Sequence, residues 1–153
     1  MFILECKPPV GVGDIVIGAP LENARPLLEA WGEVKRWDRC DGAVLAVQVH
    51  EATVLVRAGE SNLIEAVEIG CDAAPKKTRV MYRGIDIFAK PAREVLDAFR
   101  ALNVDIDEDD PAEPIAPELV IFFNRNGECF DLVAEDGFCQ YFTSILVTNE
   151  QYY

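Results

Sequence analysis

Five carboxylates crowd into six residues, Asp105, Asp107, Glu108, Asp109 and Asp110, within a stretch from Ala101 to Glu118 that holds seven acids and no base. Three chemistries use such a run: cation chelation, hydrolysis by paired carboxylates, and docking of a basic partner. Asp105-x-Asp107-x-Asp109 imitates the first three ligand positions of an EF-hand loop. Its sixth position, however, is Asp110 where that loop needs glycine, and its twelfth is Ala116 where a bidentate Glu is required. Glycosidase-type hydrolysis needs two acids set apart across a cleft, one with a raised pKa, and neighbours on one loop do not supply that. What remains is a solvated acidic loop, stiffened by Pro111, Pro114 and Pro117, whose five carboxylates are the candidate contact surface for a basic protein.

The one basic knot, Lys35-Arg36-Trp37-Asp38-Arg39, sets an aromatic between cations. Trp37 is a candidate contact residue there, by stacking and cation–π attraction; the plainer reading is a solvated connection whose Trp37 covers the end of the core. Nucleophilic catalysis finds no footing. His50 is the sole histidine, and its parity with Gln48 puts it at a turn facing solvent. The two serines, Ser61 and Ser144, lack a nucleophile-elbow context. Gly11, Gly13 and Gly18 fit neither phosphate-binding spacing and read as a glycine turn entering a strand. No catalytic residue, metal ligand or cofactor motif is therefore assigned.

Cys6, Cys40, Cys71, Cys129 and Cys139 are odd in number and form no Cys-x-x-Cys pair, so neither a zinc site nor a disulfide framework is indicated. A two-residue Asp136-Gly137 hairpin turn would put Ala134 opposite Cys139 and Cys129 opposite Ser144. Cys129 and Cys139 would then stand roughly 16 Å apart at ~3.3 Å per strand residue, beyond the ~7 Å Cα limit for bridging. All five are expected as reduced thiols.

These residues must be positioned by a chain of 153 residues, half of it apolar, with 27 acidic against 14 basic side chains and a net charge of −13. That is one globular domain with a sizeable core. The charge argues against nucleic acid, which is gripped by clustered Lys and Arg. No run is apolar enough to span a membrane, and the start lacks the pattern of a signal peptide, so the expected location is cytoplasmic.

Two stretches repeat. Ile15-Val-Ile17, Pro20 and Ala24 to Trp31 recur as Ile85-Asp-Ile87, Pro91 and Ala92 to Phe99, the strands offset by 70 and the helical parts by 68. Ala92, Val95, Phe99 and Leu102 fall on one helical face with Pro91 at the start. In the first copy Pro26 demands either a helix capped by Asn23 or a kink. Strand-like runs follow each helix: Ala43 to His50, Thr53 to Ala58 and Leu63 to Ile69, then Leu119 to Phe123, Glu128 to Ala134 and Phe138 to Val147. Asn126-Gly127 and Asp136-Gly137 mark hairpin turns. The expectation is an α+β fold of two tandem β-β-α-β-β-β modules, about residues 1–74 and 75–153, each an antiparallel meander packed by one helix. The second meander is apolar on both faces, with Ile121, Phe123, Phe130, Leu132 and Tyr141 on one side and Val120, Phe122, Val133 and Phe142 on the other. One face should therefore meet the first module, a second subunit or a ligand.

Gly11-Val-Gly-Asp-Ile-Val-Ile-Gly18, the following helix ending in Gly32, Gly84-Ile-Asp-Ile-Phe-Ala-Lys-Pro91 and the closing Phe142 to Val147 with Tyr152-Tyr153 resemble a group of small, uncharacterised bacterial proteins. The resemblance implies a fold and no activity. A looser resemblance, to small lipoproteins of outer-membrane assembly, lacks here their lipid-acceptor cysteine. The expected function is a non-catalytic protein-binding module, an immunity-type or antitoxin-like partner of a basic protein, present as monomer or homodimer. The alternatives are a carboxylate-using hydrolase with its site between the modules, and a self-associating structural or regulatory module.

Overall fold

The structure, a computed structural model, describes residues 1–129 and 132–149. Phe130, Tyr152 and Tyr153 of the sequence reading lie outside the described residues. The first half runs β1 (Phe2–Lys7), β2 (Gly11–Val12), β3 (Ile15–Val16), a 3-10 turn (Leu21–Asn23), α1 (Arg25–Glu29), β4 (Lys35–Arg39), β5 (Gly42–Val49), β6 (Ala52–Ala58) and β7 (Ile64–Cys71). The second adds β8 (Thr78–Tyr82), β9 (Ile85–Asp86), α2 (Ala92–Ala101), β10 (Ile115–Ala116), β11 (Ile121–Asn124) and β12 (Ser144–Thr148).

The expected pair of helix-packed α+β modules does not form. Strand outweighs helix, 41% against 12%, and the strands join into two sheets that cut across the halves. One has the order β3-β2-β1-β8-β9, the other β10-β11-β12-β7-β6-β5-β4. β7 and β12 pair antiparallel, from Ala66 opposite Thr148 to Gly70 opposite Ser144, so both halves share the large sheet. β1 and β8 pair in parallel, a link that two separate antiparallel meanders would lack. The physical reason lies in the second half: none of the described residues between Glu128 and Ala134 belongs to a named strand, and the short ribbon β10-β11-β12 is stabilised by extending the first half's sheet through β7.

The hairpins beside β1 share a register at the offset of 70. Val12 faces Ile15 as Tyr82 faces Ile85; Ile17 donates its N–H to Val10 at 2.8 Å as Ile87 does to Val80 at 2.9 Å. Glycine is required in the first: a Cβ on Gly11 would overlap the Ile15 carbonyl, and Gly13 turns at φ +55. Pro26 resolves the first helix. The 3-10 turn ends at Asn23, Ala24 is the N-cap of α1 in place of Asn23, and Pro26 sits in the first turn, where its missing N–H costs nothing.

The core lies between the sheets. Leu45, Val54, Val56, Val67, Ile69, Ile121, Phe123, Ile145 and Val147 of the large sheet meet Leu4, Val12, Ile15 and Val80 of the small one, with Val95, Leu96 and Phe99 of α2. Phe99 is fully buried, stacked on Tyr82 at 5.0 Å and edge-on to Phe123 at 5.3 Å. Its counterpart Trp31 is only half-buried, edge-on to Phe2 at 5.0 Å.

Candidate functional site

Because alternate strand residues point to opposite faces, the large sheet has an outer face that belongs to no part of this core. One row across it reads Lys35, Ala46, Leu55, Glu68, Leu146, Phe122 and Ile115; the next reads Gln48, Thr53, Gly70, Ser144 and Asn124. The second row floors a cleft. Gln48, Thr53 and Gly70 form its base, Glu51 and Asp72 one wall, and Glu128, Cys129, Leu132 and Tyr141 the other, around a volume of about 550 Å³. A second cavity of about 370 Å³ continues on the same face, lined by Glu68, Asp110, Glu113, Ile115, Phe122 and Leu146. Among the described residues, six carboxylates line the two cavities, and no Lys, Arg or His does.

The turn between β5 and β6 holds Glu51. Its carboxylate accepts the Lys76 N–H at 2.7 Å, the Lys77 N–H at 3.1 Å and the Thr78 hydroxyl at 3.0 Å. These bonds, the Lys76 N–H first, hold its pKa below the ordinary carboxylate value. The Cys71 thiol is pushed up to about 12, by burial and then by the charges of Asp72, Glu51 and Asp86. Glu68, on the shared face, pairs with Arg57 at 2.8 Å.

The far wall overturns the thiol expectation, because Cys129 and Cys139 form a disulfide with Cα atoms 5.5 Å apart. The turn at Asp136-Gly137 has three residues where two were expected. Ala134 donates to the Phe138 carbonyl, and Cys139 stands opposite Val133. The Leu132 N–H reaches the Cys129 carbonyl at 2.8 Å, a reach that an extended strand does not permit, and Cys129 is thereby folded back. Disulfides persist in oxidising compartments and are rare in the cytosol. No helix among the described residues is long and apolar enough to cross a membrane. Arg125, 4% exposed, braces the same segment: its guanidinium forks onto Asp136 at 2.7 and 3.2 Å and donates to the Cys139 carbonyl at 2.9 Å.

The predicted site residues do not converge. Asp105 is exposed. The main chain of Asp107 pairs both ways with Ile115, at 2.8 and 2.9 Å, and its carboxylate caps the Asp109 N–H. Asp109 is exposed, and Asp110 caps the Ala112 N–H and lines the second cavity. Glu108 turns the other way. It takes both Nη atoms of Arg93, at 2.9 and 2.7 Å, and Nη2 of Arg100 at 2.6 Å, which lowers its pKa to about 2. The loop that carries no base in its own sequence therefore borrows two from α2. Trp37 stands away from all of them on β4, 49% exposed.

Sequence reasoning missed Glu51, Asp72, Glu128, the disulfide and Arg125. The small and polar outward positions Gln48, Thr53 and Gly70 were the available signal for the cleft floor; nothing local marked the wall that faces it. No protein-family model, curated protein or solved structure matches this chain.

Proposed function

We propose that the chain is a non-catalytic binding module, of the immunity or antitoxin kind, that takes a basic segment of a partner protein onto the outer face of its large sheet. The observation that carries this is the pair of cavities on one face of the large sheet, lined among the described residues by Glu51, Asp72, Glu128, Glu68, Asp110 and Glu113 and by no Lys, Arg or His, only Glu68 being paired with a cation, Arg57. A cation entering the cleft meets carboxylates at the protein surface, where the effective dielectric lies below that of bulk water and attraction is correspondingly stronger. The −13 charge of the whole chain adds long-range steering. A hydrolytic reading is less well supported. Acid catalysis at neutral pH needs a carboxyl with a raised pKa, and Glu51 is shifted the opposite way.

The test is an amide-resolved NMR titration of the labelled chain with the tripeptide acetyl-Arg-Gly-Arg-amide. Shifts should concentrate at Gln48, Thr53, Gly70, Asp72 and Glu128 and vanish in the Asp72→Asn/Glu128→Gln variant. Shifts scattered over the surface, or unchanged in that variant, would contradict the proposal.

A further inference from the structure

Independently of the cleft, we propose that the free edge of β4 is a strand-addition site for an extended acidic segment of a partner, one with carboxylates at positions i and i+4 around an apolar residue at i+2. Among the described residues β4 closes the large sheet and pairs only with β5, from Lys35 opposite Ala46 to Arg39 opposite Gly42. One row of its main-chain N–H and C=O groups is therefore unpaired, the template that strand addition uses.

The two faces of the strand are treated differently. On the core side Arg36 donates to Glu22 at 2.7 Å and to Asp38 at 3.1 Å, which clamps the strand against the turn before α1. On the outer side Lys35 and Arg39 make no ion pair among the described residues, and Trp37 lies between them, opposite Val44. An antiparallel strand laid along this edge would set its residues i+4, i+2 and i against Lys35, Trp37 and Arg39. Opposite charges and an aromatic–aliphatic pair directly across are the stabilising combinations. A second copy of β4 does not fit. Symmetric pairing about Trp37 sets Lys35 of each copy against Arg39 of the other, like charges in direct opposition.

The probe is the heptapeptide Ser-Glu-Thr-Val-Thr-Glu-Ser, acetylated and amidated, titrated into the labelled full-length chain. The expected result is amide shifts confined to Lys35 to Arg39 and their β5 neighbours. Affinity should be about tenfold weaker for the Lys35→Glu/Arg39→Glu variant, whose remaining spectrum reports an intact fold. Lysine in place of both glutamates of the peptide should abolish the shifts. Charged edges also serve simply to block strand pairing. If that is their whole role, no β4 shift appears at millimolar peptide, and the proposal fails; it fails equally if the charge-reversed variant or the lysine peptide binds as well.

Discussion

Glu108 shows how one residue in an acidic run can differ from its neighbours. Arg93 and Arg100 are seven residues apart on α2, so they share a helical face about 10 Å apart, and Glu108 bridges them. That spacing was legible in the sequence; the docking of the loop against it was not, because fifteen residues separate Arg93 from Glu108. Folding lowers the pKa of Glu108 from 4.5 to about 2. A carboxylate depressed in this way contributes its stability in full above pH 4.5 and loses it as pH falls toward 2. Both arginines are partly exposed, which limits the gain. Glu108→Gln should therefore cost about 1–2 kcal/mol at pH 7, and its unfolding free energy should fall less than the wild type's between pH 4.5 and 2. Equal stability at pH 7 in urea titrations would show the bridge to be inert.

Among the elements, those that bury an alternating face were readable: β5, β6 and β7 lie within a residue or two of the runs read from alternation, and the apolar stripe of α2 gave its extent. β4 reads as a connection in the sequence because an edge strand of Lys, Arg, Asp and an exposed Trp buries nothing, so no hydrophobic period betrays it. The segment from Arg125 to Thr143 failed for another reason. Gly127 and Gly137 do adopt positive φ, but turn length sets register, and one extra turn residue moved Cys139 from Ala134 to Val133. That shift alone would still leave Cys129 four strand residues, roughly 13 Å, from Cys139; the disulfide forms because the chain also folds back at Cys129, whose carbonyl the Leu132 N–H reaches. The ten-residue separation of the two cysteines predicts a contribution of about 2.5–3 kcal/mol through the unfolded chain. Cys129→Ser/Cys139→Ser should lower the thermal midpoint accordingly. An unchanged midpoint under non-reducing conditions would mean that Arg125 and its partners hold the segment alone.

At the scale of the whole molecule, the decisive feature is that the halves do not fold side by side. They exchange strands: β8 lies against β1, and β12 against β7. The repeated stretches are visible in one dimension, whereas their sharing of sheets is a long-range choice that local periodicity does not encode. The same sharing assembles the cleft, whose floor comes from β5 to β7 and whose far wall comes from Glu128, Cys129, Leu132 and Tyr141. Its acids are therefore scattered in sequence, while the dense run that drew attention is spent on caps, a helix bridge and one cavity. Asp72 and Glu128 are exposed, so reversing them leaves the core untouched. The most direct measurement is affinity capture from the native host's lysate by the wild-type chain and by the Asp72→Lys/Glu128→Lys variant, compared by quantitative mass spectrometry. The account predicts a basic protein enriched on the wild type at physiological salt and lost on the variant. Equal capture by both baits, or enrichment of an acidic protein alone, would contradict it.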